Sequence, residues 1–328
     1  MTLLDMKTTL LLAFLVVSVV FILVWRSEAR KALAAGDPDE EPQTIYHSLV
    51  SFVMCFFDTL GIGNFAPTTS MFKMNGAILR FLSRVLETVG LRNVIVPPTT
   101  FEPGNSVRDE WIPGTLNVGY ALPTVTEALI YISFVDVEAQ TLVLMISASV
   151  VGAWFGAGVV SRWPRRTIQI GMGFALIGAA TLMALTAMKI APGAGEALAL
   201  TGWRLWAGVL GNLALGALMT LGIGLYGPCL ILISLLGMDP RAAFPIMMGS
   251  CAFIQPIGGM RFIKEGRYSL KVSFIMTLAG ILPVLFAAYV VKQMTLDYLR
   301  WLVVVVVICT AFMMLRAAFA GRNHTAES

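Results

Sequence analysis

Long, unbroken apolar runs limit the possible folds of this chain more than any other feature. They fall near residues 8–25, 115–134, 140–160, 167–188, 242–260, 269–291 and 297–317. Each is close to the ~20 residues that a helix needs to span a bilayer. Inside lipid a backbone must satisfy its own hydrogen bonds, which leaves helices or a closed barrel. The runs are continuous rather than alternating with period two, which rejects the barrel. Composition agrees: 57% of residues are hydrophobic and 13% charged, against roughly 45–50% and about 25% in soluble domains. The expected fold is an all-α integral membrane protein.

The net charge of +4 is modest and calls for no nucleic-acid partner. Cytoplasmic-loop Lys and Arg account for it. Cys55, Cys229, Cys251 and Cys309 lie in apolar stretches without a C-x-x-C pair, and read as packing residues. Two histidines, His47 and His324, sit near segment ends. No metal site and no cofactor are expected.

The first run lacks a strongly basic start: Lys7 is offset by Asp5, whereas Arg26, Arg30 and Lys31 follow it. That polarity suits an uncleaved anchor with its N-terminus outside, although "ALAAG" at 32–36 resembles a displaced cleavage site. Inside loops are then marked by Lys73, Arg80, Arg84 and Arg92, by Arg162, Arg165 and Arg166, and by Arg261, Lys264, Arg267 and Lys271. Arg316 and Arg322 leave the C-terminus inside. On this count two further apolar stretches, 48–74 and 204–238, each begin and end on one side, and on opposite sides from each other.

Both stretches carry "TLGIG", at 59–63 and 220–224, followed by Pro67 and Pro228. The offset is constant, 220 − 59 = 228 − 67 = 161. Glycines free the backbone to turn, and a proline fits the first turn of the helix that follows. Each stretch therefore reads as a broken or re-entrant helix hairpin. Each half of the chain is a hairpin plus three transmembrane helices, and the odd number of spans inverts the second half. Inverted repeats with interrupted helices are a transporter plan that holds substrate near the midplane. Free N–H groups at the bends can hold an anion without a buried Lys or Arg. Close helix packing is the competing account of the glycines.

"DTLGIGNFAP" and "MTLGIGLYGP", each at the head of a half, resemble the sulfite exporter (TauE/SafE) family of membrane transporters, over roughly 48–317. The resemblance implies movement of small anions such as sulfite, organosulfonates or related sulfur or carboxylate compounds, in a bacterial inner membrane. Where the family motif continues with glycine, this chain has Asn64-Phe65 and Leu225-Tyr226. Phe65 and Tyr226 correspond under the offset (226 − 65 = 161). They either line a pocket for a substrate with an organic part or simply fill space between the hairpins.

Candidate binding residues are Gly61, Ile62, Gly63, Asn64, Phe65 and Thr68 at the first bend, and Gly222, Gly224, Tyr226 and Gly227 at the second. Thr124, after Pro123, and Ser250 and Gln255, after Pro245, join them as hydroxyl and amide donors; interhelical hydrogen bonding is the alternative for each. Pro123 and Pro245 mark matching spans, with 39 extra residues in the first half ((123 − 67) − (245 − 228) = 39). Ionisable groups inside a span are functional candidates by default. Asp58 and Glu127 are assigned to coupling or gating, since a carboxyl removed from water can load and release a proton near neutral pH. The alternatives are a partner for bend amides and a buried hydrogen bond.

The expected domains are an N-terminal transmembrane anchor (1–31), a cytoplasmic linker (32–47), a first repeat (48–188) with a cytoplasmic insertion (76–114), a second repeat (204–317) and a cytoplasmic tail (318–328). The insertion opens with an amphipathic helix suited to the inner membrane surface. The expected function is secondary transport of a small anion, with proton coupling. The partners are that anion and membrane lipid. An anion channel using the same bends as a filter is the alternative. A polytopic enzyme fits less well, because no cluster of catalytic side chains is visible.

Overall fold

The computed structural model describes residues 3–34, 44–73, 107–159, 165–188, 195, 197–219 and 224–320. Among them the secondary structure is helical, apart from one isolated bridge between Ala197 and Met238. The helices are α1 (Leu3–Ala34), α2 (Thr44–Thr59), α3 (Phe65–Lys73), α4 (Ile112–Gly119), α5 (Ala121–Phe134), α6 (Ala139–Val159), α7 (Arg165–Ala187), α8 (Gly202–Met219), α9 (Tyr226–Leu235), α10 (Ala243–Glu265), α11 (Leu270–Gln293) and α12 (Leu296–Ala320). Among the described residues, four stretches are long and apolar enough to cross a membrane: Met6–Ala34, Arg166–Leu185, Pro240–Glu265 and Leu270–Gln293. The amphipathic stretch expected at the start of the insertion, Gly222 and residues 321–328 of the expected tail lie outside the described residues, whereas 318–320 continue the last helix.

Burial follows the rule for lipid rather than for water. Helix α11 turns Phe274, Leu278, Leu282 and Phe286 outward, while Ser273, Thr277, Gly280 and Ala287 are buried. In water such a helix would be inside out. In a bilayer the large apolar side chains meet lipid and the small or hydroxylated face packs on protein. Helix α1 belongs to the bundle: Phe14 and Phe21 are fully buried, and Phe14 stacks on Phe253 of α10 at 4.4 Å.

Helix boundaries recur at fixed spacings. Helix α3 starts at 65 and α9 at 226, an offset of 161. Beyond the insertion the offset is 131: α4 starts at 112 and α10 at 243, α5 ends at 134 and α10 at 265, α6 starts at 139 and α11 at 270, α7 starts at 165 and α12 at 296. The first half thus carries 161 − 131 = 30 extra residues, not the 39 obtained by matching prolines. Pro123 aligns with Ile254, and Pro245 with Gly114. Proline was a poor ruler because it sits wherever an N–H is dispensable, whereas helix ends report the register of the whole span.

The same two offsets relate side-chain contacts. Ser51 Oγ of α2 donates to Met276 O of α11, and Asn212 Nδ2 of α8 donates to Met145 O of α6, both at 2.7 Å. These residues correspond pairwise (212 − 51 = 161; 276 − 145 = 131). The close contacts correspond too. A Cβ added at Gly280 of α11 would lie 2.7 Å from Cys55 Sγ of α2, and one at Gly216 of α8 would lie 2.0 Å from Ser149 O of α6. Helix α11 therefore packs against α2, and α6 against α8, with a glycine at each contact.

Candidate functional site

Helix α2 is 16 residues long, about 24 Å at 1.5 Å per residue, and ends short of the ~30 Å hydrocarbon thickness. Beyond Thr59 the chain turns tightly: Gly61 N–H donates to Asp58 O at 2.7 Å and Ile62 N–H to Phe57 O at 3.1 Å. Gly61 and Gly63 have φ of 93° and 88°, a left-handed conformation that costs a side-chain-bearing residue about 1–3 kcal/mol. Gly61→Ala also brings a Cβ within 3.2 Å of Met247 Cε. We expect it to lower the thermal midpoint and weaken substrate response together, measurable on purified protein.

The two re-entering helices start alike. Thr68 N–H donates to Asn64 O at 3.0 Å, and Cys229 N–H to Leu225 O at 3.0 Å, again 161 apart. Pro67 and Pro228 each occupy the third position of their helix, where no intrahelical acceptor is available, so their missing N–H costs nothing. Phe65 and Ala66, like Tyr226 and Gly227, sit in the first turn, where N–H groups have no acceptor within their own helix.

These two starts meet at one cavity of about 1290 Å³. Its wall includes Asp58, Ile62, Gly63, Asn64 and Phe65 from the first bend and Gly224, Tyr226 and Gly227 from the second. A Cβ at Gly63 would stand 4.0 Å from Tyr226 Cδ2, so the bends are neighbours. The cavity runs along α10 from Cys251 past Gln255 to Arg261, Lys264 and Glu265 at its exposed end. Arg261 Nε and Glu265 Oε1 pair there at 3.0 Å.

Behind the bend lies a chain of polar contacts. Asn64 Nδ2 donates to Asp58 Oδ2 at 2.8 Å, and the Tyr226 hydroxyl approaches the same oxygen at 3.5 Å. The Thr59 hydroxyl lies 2.8 Å from both Glu127 Oε1 and Cys55 O. Tyr131 OH donates to Thr59 O at 2.7 Å, and its ring stacks on Phe244 at 5.0 Å. Asp58 and Glu127 are 1% and 0% exposed. No Lys or Arg takes part in these contacts.

Not every candidate reaches the cavity wall. Thr68 is hydrogen-bonded to Asn64 O and to the Tyr120 hydroxyl, each at 2.7 Å. Thr124 donates to Gln255 Oε1 at 2.9 Å, which leaves the Gln255 amide hydrogens for the cavity. Ser250 donates to Ile246 O at 2.7 Å and receives Asn212 at 3.4 Å. Gly61 packs against Met247, Phe244 and Leu230, and Glu127 lies behind Thr59. Sequence reading overlooked Thr59, Tyr120 and Tyr131, and took Arg261 only as the mark of an inside loop. A signal existed for Tyr131, four residues after Glu127 and thus on the same helical face. Tyr120 and Arg261 carry no such mark.

Apolar stretches of membrane-spanning length, beside two shorter helix pairs, α2–α3 and α8–α9, whose breaks line one cavity, define a polytopic α-helical membrane protein of the transport class. The family model described as "Sulfite exporter TauE/SafE" matches residues 110–314, and the chain belongs to that family. The matched region takes in the second bend and begins after the first. No curated protein and no solved structure matches the chain significantly.

Proposed function

We propose that this protein is a secondary transporter for a small anion, sulfite or an organosulfonate or carboxylate of similar size, held where the two bends meet. The observation that carries this is the convergence of two helix starts, from hairpins 161 residues apart, on the wall of a single cavity. Two positive helix ends and their first-turn N–H groups offer anion binding without a buried cation. Phe65 and Tyr226, both on the wall, favour a substrate with an organic portion. The recurring offsets and exchanged packing partners support an inverted repeat of two hairpin-plus-three-span halves. Positive charge at Arg261 and Lys264 supports a cytoplasmic mouth. Asp58 lines the cavity, and in this reading it couples anion movement to a proton.

The test is a ligand-dependent thermal-shift screen of the purified protein against sulfite, sulfonates and small carboxylates, followed by flux measurements in proteoliposomes. A stabilising ligand should also be carried saturably. Asn64→Ala and Tyr226→Ala should each lose the shift and the flux while inserting normally. An ohmic single-channel current would replace this reading with an anion channel.

A further inference from the structure

The two buried carboxyls have an unfilled need. The donors described above serve one oxygen of each: Asn64 serves Asp58 Oδ2 and Thr59 serves Glu127 Oε1. Asp58 Oδ1 and Glu127 Oε2 are buried with no hydrogen-bond partner on the protein. Thr59, next in the chain after Asp58, reaches Glu127 Oε1 at 2.8 Å, so the two carboxyls are neighbours. Two ionised carboxylates could not satisfy each other's free oxygens, because both are acceptors only.

The surroundings do not neutralise the pair. Among the described residues, the titratable groups that interact with it are Cys55 from α2, Tyr120 and Tyr131 from the α4–α5 segment, Tyr226 from α9 and Cys251 from α10. All five are neutral in their ordinary form, and no cation is among them. Two adjacent negative charges removed from water, without a counter-ion, are strongly unfavourable. A single proton removes one charge and supplies the missing donor.

We propose that Asp58 and Glu127 form one proton-binding site, holding a single proton between Asp58 Oδ1 and Glu127 Oε2 that enters and leaves through the cavity at Asp58. Asp58 lines the cavity and Glu127 does not, so water meets the pair at Asp58. With the proton bound the pair carries one negative charge; without it the pair carries two, beside the bend where the anion is held. Loading takes the proton from cavity water and release returns it to water, so the site moves one proton per cycle. The link to anion movement rests on the transport reading above, but the shared proton does not.

The test is a substrate-free infrared titration of the full chain in lipid nanodiscs, following acid and carboxylate stretches. Wild type should show one acid carbonyl that persists after the exposed carboxyls have ionised, lost in a single step. Asp58→Asn and Glu127→Gln should each move the titration midpoint of the remaining carboxyl by more than about one pH unit, the mark of interacting sites. The double variant should lack that persisting acid carbonyl. Two acid carbonyls that titrate independently, each removed by its own variant with the other unmoved, would overturn the proposal. Should either amide variant fail to fold, Glu127→Asp keeps both charges while shortening one arm; an unmoved midpoint there overturns it equally. A coupled titration in a protein that carries none of the screened anions would overturn the transport reading and leave the shared proton standing.

Discussion

Asp58→Asn protein should move its anion down a gradient but no longer against one. In proteoliposomes with an imposed pH difference, concentrative flux should fall by roughly 5–150-fold, the range of a 1–3 kcal/mol coupling free energy. Anion-for-anion exchange should persist. The reason is geometric. Among the residues of both bends on the cavity wall, Asp58 carries the only carboxyl. An amide in its place keeps the shape and can still meet the Tyr226 hydroxyl, but removes the carboxyl through which cavity water reaches the proton site. Asparagine resembles the neutral acid, so the bend keeps an uncharged neighbour suited to anion binding while the link to the proton gradient is cut. A variant whose flux still follows the pH difference would remove Asp58 from coupling.

Gly216→Val should cause the largest loss of folded protein. A Cβ there would sit 2.0 Å from Ser149 O and 2.6 Å from Ser149 C. Backbone cannot step aside as a side-chain tip can, so α6 and α8 must separate. The contact is reciprocal, since a Cβ at Gly152 of α6 would sit 1.9 Å from Leu213 O of α8. Overpacking typically costs about 1–3 kcal/mol per site and sometimes more. The double variant Gly152→Val/Gly216→Val should yield little monodisperse protein. Gly171→Val is the control, because nothing lies within 4 Å of an added Cβ there, and its thermal midpoint should stay near wild type. Equal loss in the control would mean that the valine, not the contact, is responsible.

Much of the fold was legible in the residues. Spans announced themselves because lipid admits few alternatives to a long apolar helix. The bends were expected at 59–63 and 220–224 because two glycines and a later proline recur at one spacing; the structure describes the first and, of the second, Gly224. Asp58 and Glu127 stood out because a carboxyl inside an apolar run is rare. The register of the second span pair was not legible: prolines implied 39 extra residues, whereas helix ends set 30. Thr124 and Ser250 looked like donors to a substrate, yet each donates to a protein acceptor. Hydroxyls in apolar helices look the same in sequence whether they face a ligand or a neighbouring helix.

What the sequence alone determined is local and periodic: where helices run, where they break, and which buried groups are expensive. Those follow from backbone hydrogen bonding and from the cost of removing charge from water, and both act on a residue whatever its neighbours. What only the tertiary structure decided is adjacency. Gly63 lies against Tyr226, Thr59 bridges toward Glu127, and Asp58 reaches the cavity while Glu127 stays behind it. These pairs are separated by 68 to 168 residues in the case of Thr59–Glu127 and Tyr226–Asp58. Packing of whole helices brings them together, and no local pattern records which face will meet which.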